Sequence, residues 1–169
     1  MKTFNDYLKE YRKQIKKGDI QTAYRMLMEY MMELKNHFKN NFPDYSVSGN
    51  LYSGYLDMTF FSIVPSSLKE KKLKFVVVLN HSKVIFEIWL SGVNKQIQEY
   101  YWKLFKNNEM GKYRIPENIK GMDSIIEHDL MIRPDFDNLN KLTEQIVSGT
   151  VNFINEIEYH LTGYHQQKR

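Results

Sequence analysis

Two carboxylates are the groups of this chain best placed to do chemistry. Asp57 and Glu87 fall in runs 55–64 and 84–90, which alternate apolar and polar residues and read as β-strands. Successive strand residues point to opposite faces. That alternation sets Asp57 and Glu87 on one mixed face with Tyr55, Thr59, Phe61, Lys74 and Trp89. Two carboxylates in a half-dry cleft can titrate apart, one holding a proton as acid while the other serves as base. Such a pair would suit a hydrolase or an isomerase. An ordinary structural pair is the stronger expectation. Cross-strand pairing sets Lys74 diagonal to Glu87 and opposite Trp89, an ion pair with a cation–π contact. Metal-assisted phosphodiester cleavage would want a lysine two residues after Glu87, and Trp89 stands there instead.

Other constellations are thinner. The five histidines, His37, His81, His128, His160 and His165, show neither His-x-His nor His-Glu-x-x-His spacing. No cysteine is present, which removes thiolate metal sites, redox pairs and cysteine nucleophiles. No Gly-x-Ser-x-Gly, Gly-x-Gly-x-x-Gly or Gly-x-x-x-x-Gly-Lys occurs, so nucleophile elbows and those phosphate cradles are excluded. No metal site and no cofactor are expected. Lys95, Lys103 and Lys106 interleave with Tyr100, Tyr101 and Trp102, beside a cluster at Lys69, Lys71, Lys72 and Lys74. Phosphates want such lysines and unstacked bases want such rings, but a helix burying a wide stripe uses the same pattern. Met26, Met28, Met31 and Met32 crowd one helix, which fits a sandwiched helix or a homodimer seam.

The elements that must position these residues follow from their periods. Thr3 with Asp6 three residues later opens a helix whose Phe4, Tyr7, Leu8, Tyr11 and Ile15 recur at helical spacing. Gly18 ends it and Asp19 is expected to cap a second, running to about Asn41 with Ile20, Ala23, Leu27, Met31, Leu34 and Phe38 on one stripe. Runs 45–48 and 55–64 are strands punctuated by Gly49 and Gly54. A hairpin over 75–79 and 84–90 turns at His81-Ser82, with Leu79 opposite Val84, Val77 opposite Phe86 and Phe75 opposite Ile88. Its apolar face is Phe75, Val77, Leu79, Val84, Phe86, Ile88 and Leu90. After Gly92 a helix spans 94–107, residues 108–121 are irregular, 124–132 is a last strand, and Asp137 caps a long final helix. The order is α-α-β-β-β-β-α-β-α. That is an α+β fold: a largely antiparallel sheet of about five strands, with helices mainly on one face.

A chain of 169 residues reads as one domain, 1–162, with a polar tail over 163–169. The longest apolar run is far short of the ~18 residues a membrane span needs, so a soluble, cytoplasmic protein with no membrane partner is expected. Charge is uneven: residues 1–114 hold 19 Lys/Arg against 11 Asp/Glu, residues 115–169 hold 5 against 9. Such asymmetry could steer an anionic ligand to the first two-thirds, or be two solvated surfaces that meet in a dimer.

Residues 3–8 (Thr-Phe-Asn-Asp-Tyr-Leu), 54–59 (Gly-Tyr-Leu-Asp-Met-Thr) and 86–92 (Phe-Glu-Ile-Trp-Leu-Ser-Gly), followed by Asn94-Lys95, resemble a family of uncharacterised bacterial proteins of about this length. The resemblance covers nearly the whole chain and implies a stand-alone bacterial cytoplasmic domain. It brings no activity or catalytic residue with it. The leading expectation is a non-catalytic module that takes a small ligand or peptide on the mixed face. Tyr55, Thr59, Phe61 and Trp89 would be its walls, with Lys74, Asp57, Glu87 and Asn94 for polar groups. An acid–base enzyme using Asp57 and Glu87 is the alternative, and nucleic-acid binding through the 95–106 helix ranks third.

Overall fold

The computed structural model describes residues 1–108 and 110–166. Four helices and five strands follow in the order α1 (Phe4–Lys17), α2 (Asp19–Asn41), β1 (Tyr45–Val47), β2 (Met58–Pro65), β3 (Leu73–Asn80), β4 (Ile85–Gly92), α3 (Lys95–Lys106), β5 (Ile126–Met131) and α4 (Leu139–Gln166). The strands form one antiparallel sheet in sequence order, β1-β2-β3-β4-β5. β3 and β4 are joined by a tight turn, whereas β4 reaches β5 through residues 93–125, which carry α3. The α+β class, the element order and the one-sided helical cover expected from the sequence all hold.

One face of the sheet is the core. Phe61, Ile63, Phe75, Val77, Leu79, Phe86, Ile88 and Leu90 are buried against α2 and α4. The contacts are ring on ring: Phe38 of α2 meets Phe61, Tyr30 of α2 meets Phe86 edge-on, and Phe153 of α4 meets Phe75 edge-on. α3 joins the same core through Tyr101 and Phe105. His128 of β5 also points inward, between Tyr113 and Phe153, while its neighbour Glu127 points to the other face.

Four local expectations are corrected. The hairpin register slips by two residues: Leu79 pairs with Phe86, Val77 with Ile88 and Phe75 with Leu90. An even slip keeps every side chain on its expected face, except that Val84 leaves the strand for the loop. Asn80 Oδ1 accepts from Ser82 Oγ and Lys83 N, which closes the turn there and leaves Val84 exposed at φ 53°. In β2 the faces are exchanged. Thr59 pairs with Leu79 and Phe61 with Val77, so both lie on the core face. α2 takes Gly18, not Asp19, as its cap, and α4 begins after Asn138, whose Oδ1 accepts from Lys141 N. Helix α4 spans Leu139–Gln166, and 167–169 lie outside the described residues.

Candidate functional site

The second face of the sheet carries no helix across its middle, and its rows can be read from the register. One row runs Ser62, Val76, Trp89, Glu127 and Arg114; the next runs Phe60, Val78, Glu87 and Asp129. Val76 and Val78 are buried even on this face. Loops cover part of it: Tyr52 bridges to Phe60 through both backbone groups and stacks its ring on the Phe60 ring at 4.6 Å.

At the β5 edge sits a charged cluster. Residue 114 pairs with Glu127 as a short added strand, which aims the Arg114 guanidinium across the open face. It lies 2.9 Å from Asp129, 3.7 Å from Glu127 and 3.9 Å from Glu87. Glu127 is further held by Ser124 Oγ at 2.5 Å, and Glu87 accepts from Trp89 Nε1 at 3.1 Å. Burial pushes the Glu87 carboxyl above its ordinary range, the indole bond opposing it, because a carboxylate sheds water here for only partial compensation. Among the described residues, no set of three or more His, Asp or Glu is arranged to hold a metal ion. The cation of this cluster is the guanidinium.

Beside this cluster on the same face, reached through Trp89, lies a cleft of about 890 Å³. Its floor is Phe60, Val76 and Trp89, and Tyr52 and Met58 form one wall. The far wall is the loop 119–123, pinned where Ser91 Oγ donates to the Asp123 carbonyl at 2.6 Å and Ile125 N donates to the Leu90 carbonyl at 2.7 Å. The start of α3 closes the end. Gly92 makes this possible, since a Cβ there would stand 2.6 Å from the Gln98 backbone nitrogen; its own N–H donates to Gln98 Oε1 at 2.6 Å. Asn94 is the N-cap, its Oδ1 accepting from Ile97 N at 2.9 Å. Lys74, Lys95 and Lys120 line the cleft with Asp57, Glu99 and Asp123. Two of those acids are engaged: Asp57 by backbone amides and Glu99 by Lys103 at 2.7 Å.

The structure brings Lys74, Trp89 and Asn94 together in this cleft and sets Asp57 at its margin. It takes the others elsewhere. Thr59 and Phe61 are in the core, and Thr59 Oγ1 meets His81 Nε2 at 2.8 Å. Tyr55 stands almost fully exposed on the turn before β2. Asp57 belongs to that turn. Its carboxylate accepts from Tyr55 N and Met58 N, bonds that hold its pKa below the ordinary value. Glu87 lies three residues along and two strands across from it, roughly 14 Å by strand geometry, so the two carboxylates do not share a reacting atom. Lys74 pairs with Ser91, not Trp89; Arg114 lies 3.9 Å from Glu87, and Lys83 also attracts its charge. On α3, Tyr101 is buried, Trp102 Nε1 donates to the Pro116 carbonyl, and Lys106 lies over the Trp102 ring at 4.3 Å. Of the three rings proposed to stack bases, only Tyr100 is exposed.

Sequence reasoning missed Arg114, inside the stretch 108–121 read as irregular, and the 119–123 wall, which begins in that stretch. A weak signal existed for the first. Lys112, Tyr113, Arg114 and Ile115 alternate charged and apolar, and Tyr113 and Ile115 indeed turn inward. Tyr113 donates to Glu156 of α4, and this with burial raises its pKa.

No curated protein and no solved structure matches this chain. A family model, described as a domain of unknown function (DUF7000), matches residues 4–161, and the chain therefore belongs to the DUF7000 family.

Proposed function

We propose that the protein is a non-catalytic binding module that takes a small molecule with an apolar body and an acidic end in the open-face cleft. The observation that carries this is the cleft itself. Its volume falls in the range of small-ligand pockets, and a few polar groups surround an apolar floor, the usual make-up of such sites. With Glu99 paired to Lys103, Lys74, Lys95 and Lys120 face the two carboxylates Asp57 and Asp123, a surplus of one positive charge. A carboxylate or phosphate on the ligand suits that imbalance. Turnover is not part of the proposal, because Asp57 is committed to its own turn and Glu87 lies outside the cleft lining.

The test is a thermal-shift panel of carboxylated and phosphorylated metabolites against their neutral counterparts. A ligand at about a hundred times its dissociation constant adds roughly 2.7 kcal/mol, several degrees for a chain of this size. An acidic ligand should produce such a shift, and Trp89→Ala and Lys74→Met should each abolish it while leaving the unliganded fold intact by circular dichroism. A shift that survives both substitutions places the ligand elsewhere, and no shift across the panel removes the small-ligand reading.

A further inference from the structure

α1 has an apolar face that its own chain leaves open over Phe4, Tyr7, Leu8 and Tyr11. No residue of α1 is buried, and only Gln14 and Ile15, next to the Gly18 turn, are even half-covered. Phe4 is 76% exposed, Tyr7 60%, Leu8 40% and Tyr11 62%. At about 100° per residue these four, with Ile15, fall within about 100° of arc, a complete helical stripe. The helix is nevertheless well specified locally. Thr3 and Asp6 close a capping box, and Gly18 at φ 81° ends it with its N–H on the Ile15 carbonyl. A stripe of this kind without a partner is a face built for something outside the chain.

The rest of the helix is basic. Lys9, Arg12, Lys13, Lys16 and Lys17 stand against Asp6, held by the capping box, and Glu10. On the wheel, Arg12 and Lys16 flank one border of the apolar stripe, where long side chains can lay their stems along it and keep their charges out. A face of aromatics and leucine with cations opposite is the make-up of helices that lie in the plane of a lipid surface. We propose that α1 docks the protein on an anionic bilayer, Phe4, Tyr7 and Tyr11 entering the headgroup region and the cations meeting acidic lipid. Among the described residues no helix is long and apolar enough to cross a membrane. At 14 residues α1 would lie along one, a mode that an expectation based on spans does not address.

A second copy of the chain fits the same stripe less well. A large aromatic buries about 150–250 Å² when fully enclosed, so the exposed fractions of α1 offer roughly 500 Å² per copy, under the ~800 Å² per partner of a standard interface. Two such helices would also bring like charge together. An anionic surface answers both the stripe and the charge.

The experiment is co-sedimentation of the full chain with phosphatidylcholine vesicles and with vesicles of phosphatidylcholine mixed with phosphatidylglycerol, at low and raised salt, with light scattering on the free protein. Binding should require the anionic lipid and weaken with salt. Tyr7→Ser with Tyr11→Ser should reduce it about tenfold or more, and the charge reversal Arg12→Glu with Lys16→Glu, at the border of the stripe, should do the same without touching the stripe. Unchanged melting of each variant excludes misfolding as the cause. Failure to sediment, or equal binding to neutral vesicles, overturns the proposal. So does a dimer in solution that the Tyr7→Ser, Tyr11→Ser variant dissolves, which would make the second copy the occupant.

Discussion

α1 and α3 are near twins in sequence and opposites in the structure. Both are short amphipathic helices, both open on a side-chain N-cap, Thr3 or Asn94, and both mix lysines with tyrosine and phenylalanine. α3 drives Tyr101 and Phe105 into the core and lends its first turn to the cleft, because Gly92 lets it press on the end of β4. α1 is partly covered only at Gln14 and Ile15, beside the Gly18 turn, and buries no residue. The period of a helix states that it has a dry face. It does not state who covers it, and that information lies in distant residues or in another molecule altogether.

The contrast is broken or sharpened first by truncating a ring in each helix. Phe105 is fully buried, so Phe105→Ala should cost about 3–5 kcal/mol, the usual loss for an enclosed aromatic. Tyr11→Ala should change global stability by no more than ~0.5 kcal/mol, as for other surface sites. Urea unfolding of the two variants checks both. A loss above ~1 kcal/mol at Tyr11 would mean that α1 is held against the body, and the free stripe would be lost with it.

The same contrast explains how much of the fold was legible. Element order, sheet direction and the apolar hairpin face were readable because each is written in a local period and punctuated by Gly18, Gly49, Gly54 or Gly92. The faces of β2 were not. Phe60, Phe61, Ile63 and Val64 make that strand apolar on both sides, so alternation gave no winner, and the choice fell to pairing with β3, which sends Phe61 and Ile63 inward. That single ambiguity displaced Thr59 and Phe61 from the candidate site. Arg114 and the 119–123 wall were hidden for a different reason: their positions depend on bonds to Glu127 and Ser91, residues remote in sequence and unmarked by any motif. Lys74, Trp89 and Asn94 were found because β3, β4 and the α3 cap were found.

Within the sheet, a second comparison separates Glu87 from Asp57. Asp57 is exposed and bonded by amides that favour its charge; Glu87 is buried and its pKa is raised. For a carboxyl whose folded pKa exceeds its unfolded value, the native state binds the proton more tightly, so stability falls as pH rises through the ordinary glutamate range and the full penalty stands at neutral pH. Glu87→Gln removes that penalty while its amide oxygen can still accept from Trp89 Nε1, and Asp129 keeps Arg114. The variant should be more stable than the parent at pH 7, with the difference shrinking as pH falls through the raised pKa and gone below the ordinary glutamate value of about 4.3. Thermal melts across pH check it. A destabilised variant would show that the 3.9 Å approach of Arg114 outweighs the burial.

The smallest effect is expected at Thr3, and it bears most directly on α1. An N-cap substitution by alanine costs a helix typically about 1 kcal/mol. Where a helix is part of the cooperative core, that loss appears in global unfolding. α1 buries no residue, so its fraying is a local opening that the rest of the fold does not feel. Thr3→Ala should therefore leave the melting temperature unchanged within about a degree. Amide hydrogen exchange over residues 7–17 should accelerate by roughly fivefold, which is what ~1 kcal/mol gives. The equivalent change at the other twin, Asn94→Ala, acts on a helix anchored by Tyr101 and Phe105 and should lower the global midpoint instead. If both caps shift the midpoint equally, α1 is coupled to the core. If only Asn94 does, the two helices differ in the way their buried rings say they must.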